Sequence, residues 1–336
     1  MTEVSIADAI QSAHREIMRD DERVILLGED VEAGGVFRIT EGLIDEFGPH
    51  RVHDTPLAEA GFTGAAIGAA IAGMRPIVEI QFADFILPAV NQIISEAAKM
   101  RYRSLGAWTV PLVIRTPYGG GVHGGLYHSQ SLETIFSHVP GLKVVMPTTP
   151  TDIKALLHAA IQDPDPVIVL EHKRSYRSIR EEIPDPLPPV AIGQAAIRRE
   201  GGAESTEQTQ GADVAIIATG MTVHDSLAAA QQLEAEGIEC LVLDLRTVRP
   251  LDKPAILSAV ERTGKVVIVH EDHLTGGIGA EVAAIIATEA FEHLDGPIHR
   301  VAGPEVPAMA YHPALEKAFL PNPEKIADAV RSLAAY

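Results

Sequence analysis

The chain has 336 residues, of which 46% are hydrophobic and 22% charged, so it is too apolar to be disordered and long enough for two domains of about 150 residues each. Aromatic residues make up only 4%, and a core built from Ala, Val, Ile and Leu is typical of helices packed on parallel strands. The 46 acidic residues outnumber the 27 basic ones and give a formal net charge of -19, which disfavours nucleic acids and anionic membranes as partners.

The first half of the chain alternates helices with short apolar strands. An amphipathic helix is predicted at 5–19 with Ser5 as its N-cap, and because it has no hydrophobic signal core we predict a cytoplasmic protein. Further helices are predicted near 40–47 and at 58–74, 86–104 and 150–162. Strands are predicted at 24–28, 51–54, 75–80, 111–115, 143–146 and 166–171. This alternation predicts an α/β fold whose parallel sheet is flanked by helices on both faces.

A proline-rich stretch divides the chain. Four prolines over 180–193 predict a stiff extended linker, which we place at 181–195, between domains at 1–180 and 196–336. In the second domain, strands are predicted at 213–219, 238–243 and 265–270, and helices at 222–236, 252–262, 279–291 and 324–335. The polar residues at 199–212 predict an exposed loop, and the single Cys240 excludes an internal disulfide.

One carboxylate lies in unusually apolar surroundings. Glu59 falls within TPLAEAGF (55–62), at the start of a predicted helix of small residues. An acid that is desolvated there has a raised pKa, which suits proton transfer near neutral pH. The alternative is a water-exposed acid that is favoured at a helix start by the helix dipole.

Two further stretches carry candidate binding groups. Gln81 and Phe85 are four residues apart, and we predict that they share a helical face on which an amide and a ring meet a ligand, although a lone Phe is more often core. The segment at 118–131 has five glycines and two histidines, and long ordered loops of this kind usually carry function. In it, Tyr127 and Ser129 flank His128, and a flexible loop with incidental histidines is the alternative.

A glycine cluster at 276–279, GGIG, follows a predicted strand and precedes a helix. It is an imperfect dinucleotide-binding motif, and a tight turn explains its glycines equally well.

Taken together, these stretches resemble the beta subunits of the thiamin-dependent 2-oxo acid dehydrogenases. The resemblance covers nearly the whole chain, in these blocks: GGVFRIT (34–40), TPLAEAGF (55–62), the segment 79–104, HGGLYHSQS (123–131), PGLKVVMPTTPTD (140–152), DLRTVRPLD (244–252) and HEDHLTGGIGAE (270–281). Within the family, EIQFADFILP (79–88) and HGGLYHSQS look most similar to the branched-chain (2-oxoisovalerate) type.

The resemblance implies a pyrimidine-binding domain followed by a transketolase-like C-terminal domain, in an α2β2 heterotetramer. Thiamin diphosphate would lie between an alpha and a beta subunit. This chain has no GDG followed about 30 residues later by an Asn-containing magnesium motif, so the resemblance assigns the diphosphate and its Mg²⁺ to the alpha subunit. The lipoyl and peripheral subunit-binding domains of a dihydrolipoyl acyltransferase are the further implied partners.

The resemblance also implies roles for single residues. Glu59 matches the acid that bonds the aminopyrimidine ring, and Leu57, Gln81 and Phe85 match positions around that ring. His128 matches a histidine that faces the lipoyl group and donates a proton to its sulfur. In the family, a potassium ion is held largely by backbone carbonyls. The matching residues here are Val110, Leu112, Val113, Ala160, Asp163 and Asp165, although Asp165 stands where an Asn is frequent.

Three alternatives stay open from the sequence. The first alternative is a pyruvate or acetoin dehydrogenase beta subunit. The second is a nicotinamide-binding oxidoreductase that binds its cofactor through GGIG, and the third is a structural scaffold. The substrate preference of the reconstituted tetramer separates the first from the branched-chain type. Retention of NAD by the isolated chain would identify the second.

Overall fold

The computed structural model describes residues 3–201 and 211–336, and contacts divide the chain into two compact units. The first unit runs to Gly119 and resumes at Ile135–Ile192, and the second comprises Gly120–Thr134 and Gly193–Tyr336. Gly120–Thr134 therefore groups with the second unit, although it lies within the first predicted domain. The polar loop predicted at 199–212 falls largely on 202–210, outside the described residues.

The first unit is built on parallel strands. Its strands are β1 (Val4–Ser5), β2 (Val24–Gly28), β3 (Val52–Asp54), β4 (Arg75–Glu79), β5 (Val113–Tyr118), β6 (Lys143–Val145), β7 (Val167–His172) and β8 (Arg180–Glu181). The α-helices up to residue 192 are α1 (Ile6–Asp20), α2 (Leu43–Phe47), α3 (Glu59–Ile71), α4 (Ala98–Arg103), α5 (Glu133–Ser137), α6 (Pro150–Gln162) and α7 (Ser175–Ser178). Six strands pair in parallel in the order β6-β7-β5-β4-β2-β3, and β1 pairs with β8 in a separate antiparallel ribbon.

Alternate residues of these strands are buried on opposite faces of the sheet. Val24, Leu26 and Ile77 pack in one cluster with α1 and α6. Ile25 and Val78, one position along, are buried outside that cluster, so the other face is covered as well. The predicted α/β class is therefore confirmed, since both faces of a parallel sheet are buried.

The first helix begins where its cap predicts. The Ser5 side chain accepts a hydrogen bond from the Asp8 amide at 3.2 Å, and the Asp8 carboxylate accepts one from the Ser5 amide at 2.9 Å. This reciprocal pair is a capping box, which satisfies two amides at the helix start.

The single long helix predicted at 86–104 is wrong in its start and in its type. The chain forms a 3₁₀ helix at Ala83–Ala89, a π-helical segment at Gln92–Ala97 and then α4. Pro88 lies in the 3₁₀ segment, and since proline has no backbone N–H, it cannot take part in a regular α-helical ladder there. Gln81 precedes all three segments, so the predicted shared helical face with Phe85 is also wrong.

The second unit repeats the layered plan with a smaller sheet. Its strands are β9 (Ala196–Arg199), β10 (Val214–Ala218), β11 (Cys240–Asp244), β12 (Thr247–Arg249), β13 (Val266–His273) and β14 (His299–Gly303). Its helices are α8 (Met221–Glu234), α9 (Lys253–Thr263), α10 (Ile278–Glu289), α11 (Pro313–Phe319) and α12 (Pro323–Ala334). Five strands pair in the order β14-β13-β10-β11-β9, with only β9 antiparallel.

This sheet is also covered on both faces. Val214 and Ile216 pack with α8 and α12, and Ala215 and Ile217 pack with α9 and α10. The edge strands β9 and β14 were not predicted, because their polar, half-exposed residues form no apolar run. Within residues 3–201 and 211–336, every helix is too short or too polar to cross a membrane.

Candidate active site

In the first unit, acidic and polar residues follow the carboxyl ends of three neighbouring strands. Glu29 follows β2, Glu59 opens α3 after β3, and Gln81 follows β4. Since β2 pairs in parallel with both β3 and β4, these groups lie at one edge of the sheet. Ligands of parallel α/β sheets bind at this edge.

Glu59 occupies the first turn of α3, where an acidic side chain is favoured by the helix dipole. Its N-cap residue Ala58 offers no side-chain hydrogen bond to the helix. The side chain is half-buried rather than enclosed, so the expected desolvation of Glu59 is only partial.

The enclosed carboxyl at this edge belongs to Glu29, which sequence reasoning missed. Glu29 is 4% exposed, and its Oε1 has no hydrogen-bond partner. Burial raises the pKa of Glu29 to about 7, and the carboxylates of Glu59 and Asp30 contribute. The available signal was an acid placed directly after the buried strand VILLG, at its carboxyl end.

The raised pKa of Glu29 makes folding stability depend on pH. Between about pH 4.5 and 7 the unfolded chain releases this proton and the folded chain keeps it, so the wild type loses stability as pH rises through that range. We expect Glu29→Gln, measured by denaturant unfolding, to gain about 3 kcal/mol relative to wild type between pH 4.5 and 8. The exposed Glu32→Gln is the control, and parallel stability curves for wild type and Glu29→Gln would contradict this assignment.

The other predicted pocket residues are one exposed leucine and two side chains that contact neighbours in the first unit. Leu57 is 81% exposed, just before α3. The Gln81 Nε2 donates to the Asp30 Oδ2 at 3.0 Å. The Phe85 ring meets the Phe82 ring edge-on, with centroids 5.7 Å apart.

A buried ionic network stiffens the sheet beneath this edge. Arg115, 1% exposed, donates to both oxygens of Glu171 at 2.7 and 2.8 Å and to the Glu79 Oε2 at 2.7 Å. The Tyr176 hydroxyl donates to Glu171 at 2.6 Å. A Cβ on Gly35 would come within 2.5 Å of the Glu79 Oε1, so the glycine-rich loop lies directly on this network.

The second unit holds the loop with His128. A 3₁₀ turn at Gly125–Tyr127 precedes His128, which is half-buried, while Leu126 and Tyr127 are exposed. Gly125 has φ +65°, and a Cβ there would meet the Tyr311 ring at 2.4 Å, so this position requires glycine.

The predicted potassium ligands lie together in the first unit, and several already accept hydrogen bonds. Three carbonyls accept from backbone amides: Val110 from Leu112 at 2.8 Å, Leu112 from Val167 at 2.9 Å, and Ala160 from Asp163 at 3.2 Å. Val113 is the first residue of β5.

The two carboxylates of this group are already paired with cationic side chains. The Lys143 Nζ bonds both Asp163 oxygens at 2.6 Å, and the Arg101 Nη1 bonds the Asp165 Oδ2 at 2.9 Å. Each carbonyl keeps a second lone pair, whereas the two carboxylates are already paired with cationic side chains, so a cation at this group would have to be bound by carbonyls.

The GGIG glycines make room for a buried histidine. His270 is fully buried at the end of the apolar part of β13, and burial lowers its pKa to about 4. A Cβ on Gly277 or Gly279 would come within 2.5 or 2.7 Å of its ring. These glycines therefore let the turn backbone pass close to the buried ring, which favours the tight-turn interpretation.

Both halves of the chain match known domain families. Residues 2–178 match the transketolase pyrimidine binding domain, and 203–326 match the transketolase C-terminal domain. A solved split-gene transketolase, in its inactive beta4 tetramer, superimposes with a TM-score of 0.78 over 99% of this chain and 98% of that chain, at 22% identity. The fold and the acidic strand edge therefore define a two-domain α/β protein of the transketolase type.

Sequence relatives show which family within the transketolase type the chain belongs to. The chain is 55% identical to the 2-oxoisovalerate dehydrogenase subunit beta of Bacillus subtilis (strain 168), over 100% of both chains. It is 44% identical to the pyruvate dehydrogenase E1 component subunit beta of that organism, over 100% of both chains. It is 42% identical to the organism's acetoin:2,6-dichlorophenolindophenol oxidoreductase subunit beta, over 96% of this chain and 95% of the relative. The chain belongs to the family of beta subunits of thiamin-diphosphate-dependent 2-oxo acid dehydrogenases, and the predicted resemblance is confirmed.

Proposed function

We propose that this chain is the beta subunit of a 3-methyl-2-oxobutanoate dehydrogenase (acyl-transferring). With an alpha subunit, it would oxidatively decarboxylate branched-chain 2-oxo acids such as 2-oxoisovalerate and reductively acylate the lipoyl group of a dihydrolipoyl acyltransferase. The observation that carries this proposal is Glu59 at the start of α3, on the same strand edge as the buried carboxyl of Glu29. The greater identity to the 2-oxoisovalerate relative than to the pyruvate and acetoin relatives supports the substrate class.

The first unit offers unsatisfied polar groups for the aminopyrimidine part of thiamin diphosphate. The Glu29 Oε1, the Thr55 Oγ1 and the Thr63 Oγ1 are buried without hydrogen-bond partners. Buried polar atoms are rarely left unpaired, so these atoms fit a polar ligand. Thr63 lies four residues after Glu59 on α3 and therefore shares its helical face.

When bound, the cofactor supplies the electron sink for decarboxylation. This chain would hold its ring through Leu57, Gln81 and Phe85 and would hold a proton at the Glu59 carboxyl. We assign the diphosphate and Mg²⁺ to the alpha subunit of an α2β2 heterotetramer. We assign a potassium ion to the carbonyls of the group described above: Val110, Leu112, Val113, Ala160, Asp163 and Asp165.

His128 is the proposed proton donor to the lipoyl sulfur. An imidazole can donate a proton near neutral pH, and the opening dithiolane ring needs one on its sulfur. In the heterotetramer, we expect His128→Ala to slow reductive acylation of a lipoyl domain much more than decarboxylation with an artificial electron acceptor. Equal losses in both rates would contradict this selective role. No loss in either rate would show that His128 has no role in the active site.

The second unit presents acidic groups suited to a basic partner, which we propose to be the peripheral subunit-binding domain of the acyltransferase. These groups are exposed on or near α10: Glu281, Glu289, Glu292 and Asp295.

Charge reversal on α10 tests this docking. Glu289 already pairs with Lys253 at 2.5 Å, so Glu289→Lys removes one attraction and repels Lys253 as well. We expect added salt and Glu289→Lys to weaken the affinity measured by calorimetry, because the attraction between opposite charges is screened by salt. The exposed Glu22→Lys in the first unit is the control, and an affinity indifferent to both salt and Glu289→Lys would contradict this docking.

A further inference from the structure

A single buried carboxylate from α11 binds the first part of the His128 loop, which comprises residues 120–131. Glu316 is 2% exposed, and its Oε1 accepts hydrogen bonds from the amides of Gly121 at 2.9 Å and His123 at 3.0 Å. Its Oε2 lies 2.6 Å from the His123 Nδ1. Burying a carboxylate is costly unless its oxygens are bonded, and here the loop supplies all three of these partners.

The loop geometry at His123 depends on this anchor. His123 has φ +58°, a left-handed conformation that is uncommon for residues other than glycine. Its amide and its ring both meet Glu316, so one carboxylate restrains the backbone and the side chain of the same residue. Such conformations persist where the surroundings over-determine them, and they cluster at functional sites.

The loop ends are held by a different carboxylate. The Glu271 Oε1, on β13, accepts from the Gly120 amide at 2.7 Å and the Ser131 hydroxyl at 3.1 Å. Glu271 thus restrains both ends of the segment, and Glu316 restrains the stretch from Gly121 to His123. His128 lies between these attachments, five residues after His123 and three before Ser131.

We propose that Glu316 is a positioning residue that fixes the His128 loop for acyl transfer. This inference rests on the proposed function, because it takes His128 as the proton donor to the lipoyl sulfur. Glu316 itself does not touch the reacting atoms in this account. It restricts the loop backbone so that the His128 ring occupies one place when the lipoyl group arrives, and misplacing a catalytic group by about 1 Å can cost about 10²-fold in rate.

Two substitutions at Glu316 separate positioning from loss of folding. Glu316→Ala removes both oxygens, whereas Glu316→Gln keeps an oxygen for the Gly121 and His123 amides. In the heterotetramer, we expect Glu316→Ala to lower the kcat of reductive acylation by roughly 10²-fold, with the KM for the lipoyl domain and the rate of decarboxylation nearly unchanged. Glu316→Gln should recover most of that loss, and Glu324→Ala, at an exposed carboxylate on α12, is the matched control.

Hydrogen exchange supplies a readout apart from activity. In the tetramer, the Gly121 and His123 amides should exchange faster in Glu316→Ala and stay protected in Glu316→Gln. Equal losses in both half-reactions, a Gln variant as slow as the Ala variant, or unchanged acylation and exchange in Glu316→Ala would overturn the inference. A wild-type tetramer that acylates no lipoyl domain would instead overturn the proposed function.

Discussion

Glu59→Gln in the heterotetramer is expected to slow proton removal from the thiazolium C2 of bound thiamin diphosphate by roughly 10²-fold or more, the range of general acid–base effects. The amide is nearly isosteric with the carboxyl, so the half-buried first turn of α3 should keep its packing. In our proposal Glu59 would hold a proton for the aminopyrimidine ring, which in turn would remove the C2 proton. The amide cannot hold and release that proton, so this step should slow while the fold remains. Exchange of the C2 proton for deuterium, followed by NMR after rapid quenching, reports this step directly.

Two comparisons sharpen the Glu59 experiment. The exposed Glu22→Gln should leave C2 exchange at the wild-type rate. Thermal unfolding should show that the Glu59→Gln tetramer is assembled and stable. Wild-type exchange in an assembled Glu59→Gln tetramer would remove Glu59 from the proton-transfer role.

The purified chain alone is expected to be inactive toward 2-oxo acids. In our proposal, its own residues contact the aminopyrimidine part of the cofactor, and the diphosphate with its Mg²⁺ belongs to the alpha subunit. A diphosphate without its cation and ligands is poorly held, so added thiamin diphosphate and Mg²⁺ should not restore turnover. The assay is decarboxylation of 2-oxoisovalerate with an artificial electron acceptor, before and after addition of the alpha subunit.

The order of addition makes this result specific. Activity should appear only when the alpha subunit is present, and the Glu59→Gln chain should fail to restore it. Decarboxylation by the chain alone would show that it contains a whole active site and would contradict the assigned division of the cofactor.

Local patterns in the sequence predicted the framework well. The strand VILLG is largely buried because every residue of it is apolar or small. Helix α1 begins directly after Ser5 because this serine and Asp8, three residues later, form a capping box. The helical run at 83–103 resisted prediction, because its apolar spacing fits a helix and does not distinguish α, 3₁₀ and π turns.

The candidate site was predictable only in part. Glu59 and His128 stood out because each lies in a distinctive local composition. The anchor Glu316 could not be found in this way, because it meets Gly121 from 195 residues away and has no local signal. The burial of Glu29 likewise depends on the packing around its strand end and not on its own neighbours in sequence.

The most direct test of the proposed function is a competition between substrates. The reconstituted heterotetramer receives thiamin diphosphate, Mg²⁺, a lipoyl domain, and 2-oxoisovalerate and pyruvate at equal concentrations, so that the products report the ratio of the two kcat/KM values. Mass spectrometry then identifies the acyl group on the lipoyl domain. We expect mainly isobutyryl-lipoyl domain, and none when the chain carries Glu59→Gln. Mainly acetyl-lipoyl domain would contradict the branched-chain assignment.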